Sequence, residues 1–553
     1  MSFCLDDGSE LLYGPASPDE PQTAILHETV APSEAATRAQ IHTTEQTAVL
    51  PSGVADTSKP ERSNKRLILI PAVVAAITLA GFFGYRYFGS ASTEQIRSIA
   101  VLPFQNRNSD ADSEYLSDGL AESLIYRLSQ IPELKVSPRS SAFRYKGQDV
   151  DAEKVGSELG VDAVMSGRMV QRGDNLTISV DLVDVRNKKT LWGEQFERRM
   201  SDLLATQREI ASAITQKLQL KLSGDDAKGI IKRYTDNNES YQAYLKGRYY
   251  WNRRTTENLN KAIEQFRVAI DKDPNFALAY NGIADCYVVL PEYSGMPTSE
   301  AVPQAKANAE RAIAIDGTLA EPHASLGQVY RQSWQWTESE REFKRAIELN
   351  PNYATTYHWY SHLLRALGRY DEAAVVIKKG HDLDPLSSII SVNLSEIYQL
   401  QNETNASIEN SLKIIELDPN FSEAFRSLGL SYLRLGHNAD AIASLEKAVE
   451  LSNRSAVTLM NLGYGYGVTG NRDAATNIVN ELEQKYARKE SFGINIAGVY
   501  AALGDKDKAF AWLEKDYQVR NGELSIITWR VVFESLRGDP RYKDLLKRID
   551  LSE

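Results

Sequence analysis

The sequence predicts an α+β module followed by an all-α superhelical solenoid, with one N-terminal transmembrane helix. Three observations carry this: a 34-residue period through the C-terminal half, strands alternating with helices between 96 and 222, and an uncharged run of 19 residues from Leu67 to Tyr85. Asn-Pro or Asp-Pro marks the period at Pro351, Pro385 and Pro419, and Asn453 continues the spacing without a proline. A fixed repeat of this length is the signature of stacked helix pairs, none of which buries its apolar face alone. Pro274 precedes Pro351 by 77 residues, two periods plus nine, and a loop from Pro291 to Pro303 can hold the insertion.

Composition bounds the function classes. The chain has 553 residues, 42% hydrophobic and 25% charged, which is enough for several domains. A net charge of -11 argues against nucleic acid as a partner, because neutralising phosphates requires a basic surface. Cys4 and Cys286 form neither a disulfide framework nor a metal cluster.

Residues 1–66 are rich in Thr, Ser, Ala, Pro and acidic residues and have no sustained period, so a disordered tail is expected. Thr23-Ala-Ile-Leu26 and Thr47-Ala-Val-Leu50 echo each other within it and are candidate phosphorylation or docking sites. The transmembrane helix is placed at 67–88, since 19 apolar residues rising about 1.5 Å each cross a bilayer core. Lys59, Arg62, Lys65 and Arg66 precede it and Arg86 alone follows closely, so the tail is expected in the cytoplasm of a bacterium and the rest beyond its inner membrane. A cleaved signal peptide is the competing reading. Ala72, Ala76, Ala80 and Gly84 make a small-residue stripe through which the helix could pair into a homodimer.

Within 96–222, Arg97 to Phe104 reads as a buried strand and Glu114 to Ile131 as a helix with Leu116, Leu120, Leu124 and Leu128 on one face. Leu134 to Tyr145 is a second extended stretch, Val150 to Leu159 a helix, and Ala163 to Val170 a strand. Gly173-Asp-Asn175 then turns into Leu176 to Val185, whose alternation marks a half-exposed hairpin. A strand from Thr190 to Arg198 and a helix from about Asp202 close the module. Ser98-Ile-Ala-Val-Leu-Pro-Phe104, Tyr115-Leu-Ser-Asp-Gly-Leu120, Leu159-Gly-Val-Asp-Ala-Val164 and Ser166-Gly-Arg168 resemble the TolB-like (FlgO-related) domain of bacterial envelope and signalling proteins. That resemblance implies a non-enzymatic unit for assembly or sensing.

The repeats occupy 239–520, with 521–553 as capping helices. Starts at Ala243, Ala277, Ala320, Ala354, Ser388, Ser422, Ala456 and Glu490 define about eight units. Leu326-Gly327 with Tyr330, Leu428-Gly429 with Tyr432, and Leu462-Gly463 with Tyr466 fill the first-helix positions of the tetratricopeptide (TPR) pattern. Ala262 and Phe266, Ala373 and Ile377, and Ala441 and Leu445 fill the second-helix positions. Ser407 and Ser411 stand there in repeat five, which is expected to pack loosely.

This register dissolves several site-like strings. Gly463-Tyr-Gly-Tyr-Gly467 has no strand before it and falls on packing positions, not on a dinucleotide loop. His358 and His362 stand one turn apart but lack a third ligand, and are read as surface residues rather than a metal site. No Ser/His/Asp or Cys/His arrangement, P-loop or kinase signature occurs, so no catalytic residue, cofactor or metal is expected. By resemblance to TPR proteins, the inner-face positions of the first helices are Gln328, Arg331, His358, His362, Arg365, Glu396, Gln399, Arg426 and Arg434. Guanidiniums there could clamp an acidic or C-terminal peptide. Tyr241, Tyr244, Tyr249, Tyr250 and Trp251 crowd repeat one and are expected to be covered by the preceding module.

The order of membrane helix, module and repeats resembles the C-terminal part of bacterial transmembrane Ser/Thr kinases and winged-helix regulators. This leaves two functional readings. One is a non-enzymatic membrane-anchored scaffold or adaptor that binds a protein or peptide partner through its repeats. The other is the sensory half of a kinase or transcriptional-regulator system whose catalytic or DNA-binding part is missing from this chain.

Overall fold

A computed structural model describes residues 96–108, 113–148, 150–220, 229 and 231–551. The chain divides into Met1–Ser92 and Thr93–Glu553, and the described residues all belong to the second unit. The tail 1–66 with its two echoes, the segment 67–88 and its small-residue stripe lie outside the described residues.

The expected single-pass placement in a bacterial inner membrane is corrected. Among the described residues no helix is long and apolar enough to cross a membrane. Even the long Thr298–Ile315 helix is amphipathic, with Glu300, Lys306, Glu310 and Arg311 along it. Bilayer and homodimer contacts have no support.

In the module, β1 (Ser98–Val101) runs parallel to both β3 (Lys135–Val136) and β4 (Ala163–Arg172). The strands β5 (Asn175–Asp184) and β6 (Lys189–Arg199) extend β4 as an antiparallel meander, giving the order β3-β1-β4-β5-β6 with β2 (Gln105–Asn106) beside β4. All four residues of β1 are buried, as a parallel strand between neighbours demands. The helices are α1 (Glu114–Ser129), α2 (Arg139–Ala142), α3 (Ala152–Leu159) and α4 (Leu203–Lys217). Asp151 caps α3 by accepting from Glu153 N, and Gly160 ends it in the left-handed region at φ +61°. The extended stretch expected over Leu134 to Tyr145 is a strand only at Lys135–Val136. Pro138, which needs no N–H partner, then leads into α2.

Sixteen helices come next among the described residues, in eight pairs. These are α5 (Asn238–Trp251) and α6 (Thr256–Lys272), α7 (Ala277–Ser294) and α8 (Thr298–Ile315), α9 (Glu321–Gln332) and α10 (Trp336–Leu349), and α11 (Ala354–Ala366) and α12 (Tyr370–Leu383). Then come α13 (Ser388–Leu400) and α14 (Thr404–Leu417), α15 (Ser422–Leu435) and α16 (Asn438–Leu451), α17 (Ala456–Val468) and α18 (Arg472–Ala487), and α19 (Gly493–Ala502) and α20 (Lys506–Gln518). Glycine on the first helix lets the large residue of the second seat against backbone. A Cβ on Gly327 would stand 2.6 Å from the Phe343 ring, and one on Gly429 2.7 Å from Leu445. Gly463 abuts Ile478 and Val499, and Gly467 abuts Ala502, which are packing roles.

Three details depart from the sequence reading. Helix α5 begins before Ala243 because the Asn237 side chain caps it, accepting from Ser240 N at 3.0 Å. The insertion is no loop: Pro291 and Pro303 lie inside α7 and α8, each 18 residues long, and Gly295 at φ +69° turns one into the other. Repeat five is tightly packed through hydroxyls instead of apolar groups. Ser407 and Ser411 are fully buried, Gln399 donates to Ser431 Oγ at 2.9 Å, and Ser411 bonds Ser427 Oγ at 3.2 Å.

The module runs along the junctions between repeats. Lys232, in the linker, pairs with Asp316 at 2.5 Å; Asn352 Nδ2 donates to the Ile131 carbonyl at 3.2 Å; Ser141 donates to Asp384 at 2.5 Å; and Arg144 donates to the Leu417 carbonyl. Glu122 of α1 is held by Arg139 at 2.9 Å, Arg248 at 2.7 Å and Asn252 at 2.8 Å. The aromatic flank is covered by the module in part: Tyr241 is buried in the module's core cluster, against which Tyr244 packs, and Tyr249 donates to Glu114 at 3.2 Å, whereas Trp251 is buried in the repeat core with Tyr250 packed against it.

The C-terminal segment is more than a polar cap. It forms two 3-10 stretches, Gly522–Thr528 and Val531–Leu536, and helix α21 (Pro540–Arg548), and it folds back onto earlier repeats. Thr298 Oγ1 donates to the Arg520 carbonyl at 2.9 Å, Trp336 Nε1 to the Ile549 carbonyl at 2.9 Å, and Tyr370 to the Thr528 carbonyl at 3.3 Å. Leu524, Ile527, Phe533 and Leu536 are completely buried in the same cluster as Phe343 and Leu363. Phe533→Ala is expected to cost about 3–5 kcal/mol in urea unfolding followed by tryptophan fluorescence; a cost below about 1 kcal/mol would mean this segment is not packed into the core.

Candidate functional site

The first helices of the pairs turn their inner faces toward one axis. Together with α1 and the Glu523–Arg530 stretch they line a cavity of about 1600 Å³. Of the nine inner-face positions, Gln328, Arg331, His358, His362, Arg365, Glu396 and Arg426 line it. Gln399 is instead engaged in the hydroxyl cluster, and Arg434 is exposed, donating to the Gln399 carbonyl and lying 3.5 Å from Glu534.

Glu396 is the charge centre of the cavity floor. Its Oε1 accepts from Arg426 at 2.7 Å and its Oε2 from Arg365, whose other nitrogen donates to Asn393 Oδ1 at 2.6 Å. Burial would raise the Glu396 carboxyl, but the Arg426, Arg365 and Arg530 guanidiniums outweigh it and hold it at about 2. Arg331 reaches Glu523 of the C-terminal segment at 3.0 Å. The carboxylates gripped by these arginines are therefore the chain's own.

His358 and His362 are not surface residues. Their rings meet edge to face at 4.7 Å, and Asn393 bridges them, 3.1 Å from His358 Nε2 and 2.9 Å from His362 Nε2. Burial and the Arg365 charge push His358 down to about 3 and His362 well below the ordinary imidazole value, so both are neutral. Among the described residues no group of three His, Cys, Asp or Glu could hold a metal ion.

The opposite wall is acidic. Burial lifts Asp285 to about 6, although Arg248 stands 3.8 Å away and Ser325 donates to it at 2.6 Å. Glu321, where repeat three meets the module, accepts from Tyr126 at 3.3 Å and is raised to about 7, mainly by burial. Glu523, Trp529 and Arg530 escaped the sequence reading; the signal for them was the apolar run Leu524 to Phe533 where a solenoid cap should be polar.

Comparison with known proteins agrees with this architecture. The family profile described as the second domain of a HilA/YgeH-like transcriptional regulator matches residues 94–213. Two tetratricopeptide-repeat profiles match 342–374 and 423–455. A protein of Rhizobium meliloti predicted to be adenylate cyclase 3 is 29% identical over 231 residues, 41% of this chain and 39% of its own length. The chain thus spans about two fifths of that relative. The transcriptional regulator HilA of Salmonella typhimurium is 22% identical over 396 residues, covering 70% of this chain and 69% of HilA. Likeness to TolB is distant: the Haemophilus influenzae protein is 28% identical over 122 residues, 22% of this chain. The kinase resemblance is distant as well. Among solved structures, Pseudomonas aeruginosa pilF is 20% identical with a TM-score of 0.30, covering 38% of this chain and 94% of that one.

The raised carboxyls fix a pH response. Between about pH 4.5, where free carboxyls ionise, and about 7, folded Glu321 keeps a proton that the unfolded chain has lost, so stability falls as pH rises through that window. Glu396 acts in the other direction, below about pH 4.5 and down toward 2. Glu321→Gln is expected to flatten the decline in Tm between about pH 5 and 7.5; an unchanged slope would place that proton elsewhere.

Proposed function

We propose that this chain is a non-enzymatic scaffold or adaptor that receives a segment of a protein partner at its axial cavity. Tetratricopeptide repeats imply protein binding, and the chain carries them. The observation that supports the site is the cavity itself: three large apolar side chains that line it are exposed, Tyr293 at 41%, Ile389 at 43% and Val457 at 36%. Exposed apolar groups gathered on a concave surface are the ordinary mark of a protein-binding site. The inner-face arginines are poor anchors for an acidic peptide, because Arg365 and Arg426 already pair with Glu396. The reading as a kinase or regulator half draws on the HilA likeness and is not favoured over the scaffold.

Ile389→Asp combined with Val457→Asp alters solvent-facing groups and should leave Tm nearly unchanged. In crosslinking of intact cells followed by mass spectrometry, the variant is expected to lose its partner at least about fivefold, as when a side chain worth about 1 kcal/mol is removed. An unchanged set of partners would contradict the cavity as the binding surface.

A further inference from the structure

The cavity floor carries four arginines, one of which forms no ion pair among the described residues. Arg331, Arg365, Arg426 and Arg530 meet there, and both oxygens of Glu396 are taken by Arg365 and Arg426, while Glu523 is engaged by Arg331. That leaves Arg530. Among the described residues its guanidinium has no hydrogen bond or ion pair; Nε and Nη1 are buried without a partner, and the guanidinium lies 4.9 Å from the centre of the Trp529 ring. Arg365, 1% exposed, also has an unpartnered Nε. Burying guanidinium N–H donors without an acceptor is costly, and real sites relieve it with an anion or by losing the proton. Guanidinium holds its proton better than any other side chain, so an anion is the available remedy.

We infer that Arg530, with Arg365 beside it, forms an oxyanion site at the cavity floor that takes the phosphate or carboxylate group of a small ligand. Arg530 supplies donors in a planar fork matched to two oxygens of such a group, and Trp529 covers the Arg365 guanidinium at 4.2 Å, sheltering the site from water. Burial, with like charge from Arg426 and Arg365, outweighs the pull of Glu396 and Glu523 and brings Arg530 down to about 10. The His358 and His362 rings, being neutral, add no competing charge. The site does not depend on the protein-partner reading, because a small anion alone probes it.

The test is thermal melting and calorimetry of the full chain with inorganic phosphate or succinate, at ionic strength matched with sodium chloride. Phosphate, succinate or both should raise Tm by at least about 2 °C and give a saturable heat. A response to phosphate alone assigns a phosphorylated ligand, and one to succinate alone a carboxylate. Arg530→Gln should abolish the response and, by removing an unpaired cation, melt no lower than the native chain in anion-free buffer. The exposed control Arg341→Gln should respond like the native chain. No response to either anion, an undiminished response in Arg530→Gln, or a marked loss of stability in that variant without added anion would overturn the assignment.

Discussion

A helix pair in this solenoid cannot bury its apolar stripe by itself. Each pair needs the next, and the last one needs something else. That requirement explains the C-terminal segment, which leaves the repeat pattern yet stays apolar. Leu524, Ile527, Phe533 and Leu536 cover inner surface that would otherwise be wet, and the segment reaches back to repeats two, three and four through Thr298, Trp336 and Tyr370. The array also meets itself directly: a Cβ on Gly295 would come within 2.1 Å of the Lys489 carbonyl. The superhelix therefore closes, and its concave face becomes a cavity instead of an open groove.

The module adds a second restraint. It bonds to successive junctions at Asn352, Asp384 and Leu417, and the linker residue Lys232 holds Asp316, so the angle between neighbouring repeats is held along one edge while the C-terminal segment holds it from within. A solenoid restrained on both sides has little freedom to open, which favours a preformed site over one that clamps down on a ligand. The buried charges then divide by position. Carboxyls at the module wall are lifted by desolvation, whereas Glu396 on the floor is held down by arginines.

Much of this fold was legible because the repeat is written in local pattern. The 34-residue spacing placed most helix starts to within a few residues, and the Leu-Gly positions fell where glycine meets Phe343 or Leu445. What could not be read were partners across the fold. The inner-face positions were placed on the inner surface, but that Arg365 and Arg426 share Glu396 depends on how successive repeats lean, and that Arg331 meets Glu523 depends on a chain reversal 192 residues away. The extended stretch expected over Leu134–Tyr145 is a strand only at Lys135–Val136, for a different reason. After Pro138 the chain turns into the four-residue helix Arg139–Ala142, and a run that short has no distinguishing period.

The central claim is that residues 522–537 lie packed in the axis of a closed superhelix. Hydrogen–deuterium exchange of the full chain tests it most directly. The account predicts that amides such as Phe533, bonded to the Arg530 carbonyl at 3.1 Å, exchange as slowly as those of the neighbouring inner helices. Exchange across 522–537 at the rate of an unstructured peptide, with the repeats still protected, would contradict it.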